Sequence, residues 1–216
     1  MQLNLSNYAE IFAAIVCTFC VFFKPSVTNR WFIGFLVLTL FVEFSAKLLY
    51  NNGAIKTSMY NIFGMVEVVF YLCYFRIFFK TKKEARLFQS IILFFLFFGI
   101  INFFFFQGAR EYNHYTSLLG DAILSMFCLR IFYDILNDRV QGDSTKTLLI
   151  IVSGLFLYYC ITLITDSFFY LLYIDGEFFK TLYTFVNGYL NLLLYGCFAL
   201  AFASEAFNNN SRNLSS

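Results

Sequence analysis

The chain has 216 residues, of which 60% are hydrophobic, 23% are aromatic and only 13% are charged, with a formal net charge of +2. Soluble domains carry roughly 25% charged residues, so a water-soluble globule is excluded; a net charge this small, with most cations in short loops rather than on one exposed face, does not suggest a nucleic-acid partner. Seven spanning helices of about 20 residues each would use about 140 residues and leave no room for a separate soluble domain.

Seven apolar stretches of spanning length recur between polar breaks. The first, Leu5 to Phe23, follows a start without basic residues and precedes no small-x-small cleavage site, so it is expected to stay as an anchor. Glu10 falls on it, on one face with Asn7, Ala14 and Cys17. After Lys24-Pro25-Ser26 comes Trp31 to Tyr50, where Glu43 and Lys47 lie one helical turn apart and suit an ion pair. Beyond Asn51-Asn52-Gly53, the stretch Ser58 to Phe79 aligns Tyr60, Gly64, Glu67, Tyr71 and Tyr74, and also carries Asn61. Glu67 lies nine residues, about 13 Å, inside that segment. The charged break Lys80 to Arg86 leads to Leu87 to Phe106, with Asn102 near its end, and then to Gln107-Gly108. Thr116 to Leu136 aligns Ser117, Asp121, Ser125 and Cys128. After Asn137 to Asp143, the stretch Thr147 to Tyr170 aligns Tyr159, Thr162 and Asp166. After Asp175-Gly176, Thr181 to Ala203 aligns Thr184, Asn187, Gly188, Asn191 and Tyr195. The expected architecture is all-α: a seven-helix transmembrane domain over residues 1–203 and a short, polar, disordered cytoplasmic tail over 204–216.

Lys and Arg in alternate loops set the orientation. Lys24, Arg30, Lys80, Lys82, Lys83, Arg86, Arg139, Lys146 and Arg212 fall on one side, nine in all, against Lys56, Arg110 and Lys180 on the other. The N-terminus is therefore expected outside and the C-terminus inside. The only proline, Pro25, lies in a loop, so unbroken helices are expected. All six cysteines fall inside apolar segments, which disfavours a disulfide framework, and the lone Cys17-x-x-Cys20 reads as two small helix residues.

An ionisable side chain in hydrocarbon costs about 2.5 to 3.5 kcal/mol on insertion scales, so each one needs a partner, water or a function. With the N-terminus outside, Glu10, Glu43, Lys47, Asn61, Glu67, Asp121, Asp166, Asn187 and Asn191 fall in the outer half or near the midplane. They make a candidate ligand-binding set for an acidic, tyrosine-lined cavity opening outward. Each also has a structural alternative: asparagines as interhelical hydrogen-bond glue, the Glu43 and Lys47 pair as self-neutralising, Glu10 and Asp166 as hydrated interface residues. His114, the single histidine, is expected to be a solvated loop residue.

Several chemistries are excluded. Retinal attachment needs a lysine deep in the last helix, where only Lys180 stands at the mouth; one histidine cannot build a zinc hydrolase site. Ser45 and Lys47 point about 200° apart on a helix and cannot form a dyad. No phosphate-binding Gly loop, metal site or cofactor motif is present.

Two resemblances follow from particular residues. Ser117-Leu118-Leu119-Gly120-Asp121-Ala122-Ile123-Leu124 is similar to a Gly-Asp motif of membrane lysoplasmalogenases, which implies an intramembrane aspartate acting as an acid on lipid. Tyr60-Asn61-Ile62-Phe63 with Glu67, Glu10, and Asn187 with Asn191 resemble a large, functionally undefined group of bacterial seven-helix integral membrane proteins. That resemblance implies one shared polar site in a bacterial cytoplasmic membrane. The leading expectation is a sensor or receptor-like protein of the lipid bilayer that binds a small polar or cationic ligand and signals through a separate cytoplasmic or membrane partner. The alternatives are an ion- or proton-coupled transporter and a carboxylate-dependent lipid-modifying enzyme.

Overall fold

A computed structural model of the chain describes residues 5–23, 27–49, 52–79, 81–140, 145–168 and 176–213. Its helices are α1 (Leu5–Phe23), α2 (Val27–Leu48), α3 (Gly53–Arg76), α4 (Lys82–Ile101, prolonged by a π-helical segment, Asn102–Phe106), α5 (His114–Leu136) and α6 (Thr145–Ser167). The last helix, α7, runs without a break as Gly176–Phe185, a π-helical segment Val186–Leu190, and Asn191–Asn213. The described residues contain no strand.

Each apolar stretch lies on a helix, and several helices begin earlier than apolarity alone indicates. α3 starts at Gly53 rather than Ser58 because Asn52 caps it, its side chain accepting from the Ile55 N–H at 3.4 Å. α4 starts at Lys82 rather than Leu87 because Thr81 and Glu84 form a capping box, with Glu84 N–H donating to Thr81 Oγ1 and Thr81 N–H to Glu84 Oε2, each at 3.2 Å. Polar first turns are invisible to a count of apolar residues. The stretch expected to be a disordered tail from Ser204 is helical as far as Asn213, since no Gly or Pro stops α7 and Ser204 Oγ donates back to Ala201 O at 2.8 Å. The loop ends Lys24-Pro25-Ser26, Tyr50, Asn51, Lys80 and Asp143, and the segment ending at Asp175, lie outside the described residues.

Five of these helices are long and apolar enough to cross a membrane: Arg30–Leu48, Gly53–Arg76, Lys82–Phe106, Thr145–Ser167 and Gly188–Ala206. The composition and the apolar exterior agree with an integral membrane protein. α5 is not among these five and carries Asp121, Arg130 and Asp134, yet its polarity is inverted relative to a soluble helix. Asp121, Ser125 and Asp134 are buried, while Met126, Leu129, Tyr133 and Leu136 are exposed. Apolar outside and polar inside is the pattern of a helix that meets lipid.

The chain divides into two compact units: Met1–Leu40, Cys128–Tyr158 and Tyr170–Ser216 form one, and Phe41–Phe127 with Tyr159–Phe169 the other. In the first, α1 packs along α7, and Phe32 meets Phe198 and Phe202 edge-on with centroids 5.4 and 5.3 Å away. Asp134 is buried there and held by Arg130 at 3.0 Å and Arg139 at 3.4 Å.

In the second unit, small residues bring α3, α4 and α5 together. A Cβ added to Gly120 of α5 would come within 2.8 Å of Val68 Cγ2 on α3, and one on Gly99 of α4 within 2.6 Å of Met65 Sδ. Close backbone approach through glycine is a usual device of helix packing in lipid. Here it sets the residue next to Gly120, which is Asp121, deep against α3.

Two of the helices carry π-helical segments that the sequence did not signal. At the end of α4 the Gln107 N–H donates to Asn102 O, five residues back, at 3.0 Å. Asn102 is buried, and its Nδ2 donates both to Gln107 Oε1 at 2.7 Å and to Thr116 Oγ1 at 2.9 Å. Gln107 Oε1 also accepts from Tyr115 N–H at 3.1 Å. Side chains, not a proline, therefore sustain the π turn and tie α4 to the start of α5.

Candidate functional site

The site is built in the second unit, from α3, α5, α6 and the loop between α4 and α5. That loop is fastened to α3 by side chains from the first turns of the helix. Asn61 Nδ2 donates to Glu111 O at 2.7 Å, while Asn61 Oδ1 accepts from Asn113 N–H at 3.0 Å. Ser58 Oγ donates to Ala109 O at 2.7 Å. The buried Asn113 N–H, which would otherwise be unpaired, is satisfied, and the loop is tied to α3 on both sides of Tyr112.

Tyr112 points its hydroxyl inward, 3.2 Å from Asp166 Oδ2 and 2.9 Å from Ser117 Oγ, although the residue as a whole is 42% exposed. Burial of the hydroxyl, and then the neighbouring Asp166 carboxylate, raise its pKa well above the usual tyrosine value. Near neutral pH it is a protonated donor aimed at a carboxylate.

Three carboxylates gather below this loop. Asp166 of α6 bonds to Tyr112 and Ser117, with His114 within electrostatic reach. Asp121 of α5, with Thr162 of α6 beside it, lies within electrostatic reach of both Asp166 and Glu67. Glu67 of α3 meets the Tyr159 hydroxyl of α6, and the Tyr159 ring packs edge-on against Tyr71 with centroids 6.0 Å apart. Asp121, Asp166, His114 and Tyr159 are all buried, and Glu67 is partly so. No Lys or Arg among the described residues pairs with any of the three acids. Asp121 Oδ2 is buried with no hydrogen-bond partner, as are both polar atoms of the Asn113 amide.

Of the residues singled out in the sequence, Glu67, Asp121 and Asp166 come together here. Asn61 belongs to the same unit but spends its amide on the loop, which makes it a positioning residue. Glu43 and Lys47 lie half-buried one turn apart on α2 and are not among the electrostatic partners of the three acids. Glu10 and Asn191 belong to the other unit, where Glu10 shares the buried face of α1 with Asn7, Ala13 and Cys17. The side chain of Asn187 lies outside the described residues. His114 overturns its expectation: it is 5% exposed and sits against Asp166 rather than in solvent, because the loop before it is drawn down onto α3. Tyr112 was not anticipated at all. The only cue was a tyrosine flanked by polar residues in a short loop.

Chemically, the cluster offers acceptors and tyrosine faces but no matching cation. Among the described residues no group of three His, Cys, Asp or Glu side chains is placed to hold a metal ion. Asp121 is within electrostatic reach of both Asp166 and Glu67. Comparison of the chain with protein-family models, curated proteins and solved structures finds no match.

Proposed function

We propose that this chain is a membrane sensor that binds a small organic cation at Glu67, Asp121 and Asp166 and signals through a separate partner at its inner loops. The observation that carries the reading is the charge imbalance: three interacting carboxylates, buried or partly buried, are faced by one histidine and by no lysine or arginine. An organic ammonium supplies the missing charge and the missing donor for Asp121 Oδ2. With the N-terminus outside, as the loop cations indicate, the start of α5 and the site lie toward the outer face of a cytoplasmic membrane. Seven spans, that orientation and a separate output partner complete the reading.

The test is a thermal-shift screen of the purified protein against alkylamines, polyamines, quaternary ammoniums and neutral analogues of equal size. Cations should stabilise the wild type and neutral analogues should not. Asp121→Asn and Glu67→Gln should each weaken that response about tenfold or more while the unliganded protein stays folded, since each removes one charge from a site that uses several. Equal responses to charged and neutral compounds would sink the reading.

One observation favours a second reading. Asp121 lies within electrostatic reach of Asp166, which accepts from Tyr112, and the two acids would serve as a general acid and base pair of the kind the lysoplasmalogenase resemblance implies. Turnover of a vinyl-ether lipid, abolished by Asp121→Asn, would favour the enzyme over the sensor.

A further inference from the structure

At the end of α5, two guanidiniums share one buried carboxylate. Asp134 accepts from Arg130 Nε at 3.0 Å and from Arg139 Nη1 at 3.4 Å, while the two arginine side chains remain 44% and 55% exposed. Both guanidiniums also lie over the Tyr133 ring, with their Cζ atoms 5.7 and 5.4 Å from its centroid. The backbone fixes the second arginine in this place. Asp138 takes a left-handed conformation with φ 54°, its N–H donates to Ile135 O at 3.1 Å, and Arg139 N–H donates to Asp134 O at 2.9 Å. These two bonds close the helix and fold Arg139 back over the turn that carries Asp134. Asn137 donates its N–H and its Nδ2 to Tyr133 O, at 3.1 and 2.7 Å. Three carbonyls at the negative end of α5, which would repel an anion, are thereby occupied. On the same turns Leu129, Tyr133 and Leu136 are exposed and recur at spacings of four and three residues, so they form one apolar stripe. In a membrane protein that stripe meets acyl chains, and a tyrosine near its end marks the boundary with the headgroups.

We propose that Arg130 and Arg139, held by Asp134 and Tyr133, bind the phosphate of an anionic phospholipid whose acyl chains lie along Leu129 and Leu136. The lipid belongs to the leaflet at this end of α5, the inner one in the orientation that the loop cations indicate. The site rests on the membrane reading of the fold and is independent of the carboxylate cluster, which belongs to the other unit. Charge complementarity fixes the occupant. Two guanidiniums stand against one buried carboxylate, and the other acid of the turn, Asp138, is exposed and therefore hydrated and screened. A zwitterionic phosphatidylcholine brings a trimethylammonium that the pair repels, whereas an anionic lipid brings an uncompensated phosphate. The planar N–H edges of guanidinium match phosphate oxygens, and here the buried acid and the tyrosine ring order both side chains before the lipid arrives.

The experiment titrates the full chain in detergent with phosphatidylglycerol or phosphatidylcholine of the same acyl chains and counts retained lipids by native mass spectrometry. Thermal unfolding is followed in parallel with both lipids and with inorganic phosphate. The wild type should hold phosphatidylglycerol about tenfold more tightly than phosphatidylcholine. Arg139→Gln should stay folded, since Asp134 keeps Arg130, and should lower that preference about fivefold or more. Arg139→Lys keeps the charge but loses the planar fork; it should lower the preference as well, and it carries the test if the glutamine variant does not fold. Lys83→Gln removes an exposed cation from the first turn of α4 and should leave the preference within about twofold. Equal retention of the two lipids by the wild type overturns the site, as does a wild-type preference in both Arg139 variants. A loss in Lys83→Gln as large as that in Arg139→Gln would reduce the effect to general charge attraction and overturn it too. Stabilisation by inorganic phosphate equal to that by phosphatidylglycerol would assign the arginines to a soluble anion and overturn the lipid.

Discussion

Asn61 shows how one side chain can matter to a site that it does not line. Its amide satisfies a carbonyl and an N–H of the loop that carries Tyr112, so removing it strands the buried Asn113 N–H and releases the Glu111 carbonyl. Leaving a buried polar group unsatisfied costs about 1–3 kcal/mol. Asn61→Leu should therefore lower stability by about 2 kcal/mol or more, and it should weaken cation binding even though no carboxylate is altered. Unchanged thermal unfolding would show that the loop holds its place without the clamp. Legibility at this scale followed contrast. Glu67, Asp121 and Asp166 stood out because an acid within an apolar run is costly and rare. Tyr112 and His114 did not, because a polar residue in a loop is ordinary. The loop that carries them is held by bonds from α3, some fifty positions earlier in the chain.

Helices behave the same way: what is local was readable and what is cooperative was not. The seven apolar stretches fall on helices because hydrophobic runs of that length have few alternatives. The N-terminal extensions of α3 and α4 depend on caps whose geometry completes only in the fold, although the Thr81-to-Glu84 spacing of the capping box was already present in the sequence. The π-helical segment at Asn102–Phe106 left no such trace, being maintained by an amide network among Asn102, Gln107 and Thr116. Gly120 is the position where an element-scale test is sharpest. Gly120→Ala would put a methyl group 2.8 Å from a stiff valine branch, forcing α5 away from α3. A loss of about 1–3 kcal/mol is expected from such overpacking, measurable as a lower unfolding midpoint. Because Asp121 follows directly, weaker ligand response should accompany it. A variant as stable as wild type would mean that α5 tolerates the shift.

For the molecule as a whole, orientation is the most consequential expectation, because it decides which compartment the α4 to α5 loop faces. A cysteine at Lys83 should resist an impermeant thiol reagent in intact cells, while one at Gly108 should label; the native cysteines, all within helices, give the background. The reverse pattern would invert the molecule and place the carboxylates toward the cytoplasm. Composition gave the membrane class at once, whereas the division into two compact units was not foreseen, since α2, α5 and α6 each continue from one unit into the other without any break in apolarity.

The bonds from Ser58 and Asn61 to the α4 to α5 loop also bear on how the chain is made. They join residues separated by 50 to 52 positions, so during synthesis α3 enters the bilayer well before its partners exist. Until the loop after α4 emerges, a primary amide must be hydrated, held by the insertion machinery, or left unsatisfied in lipid. A nascent chain halted after α4 therefore displays a polar mark that the finished protein conceals. Quality-control proteases that sense exposed polar groups in membranes would distinguish the two by that mark alone.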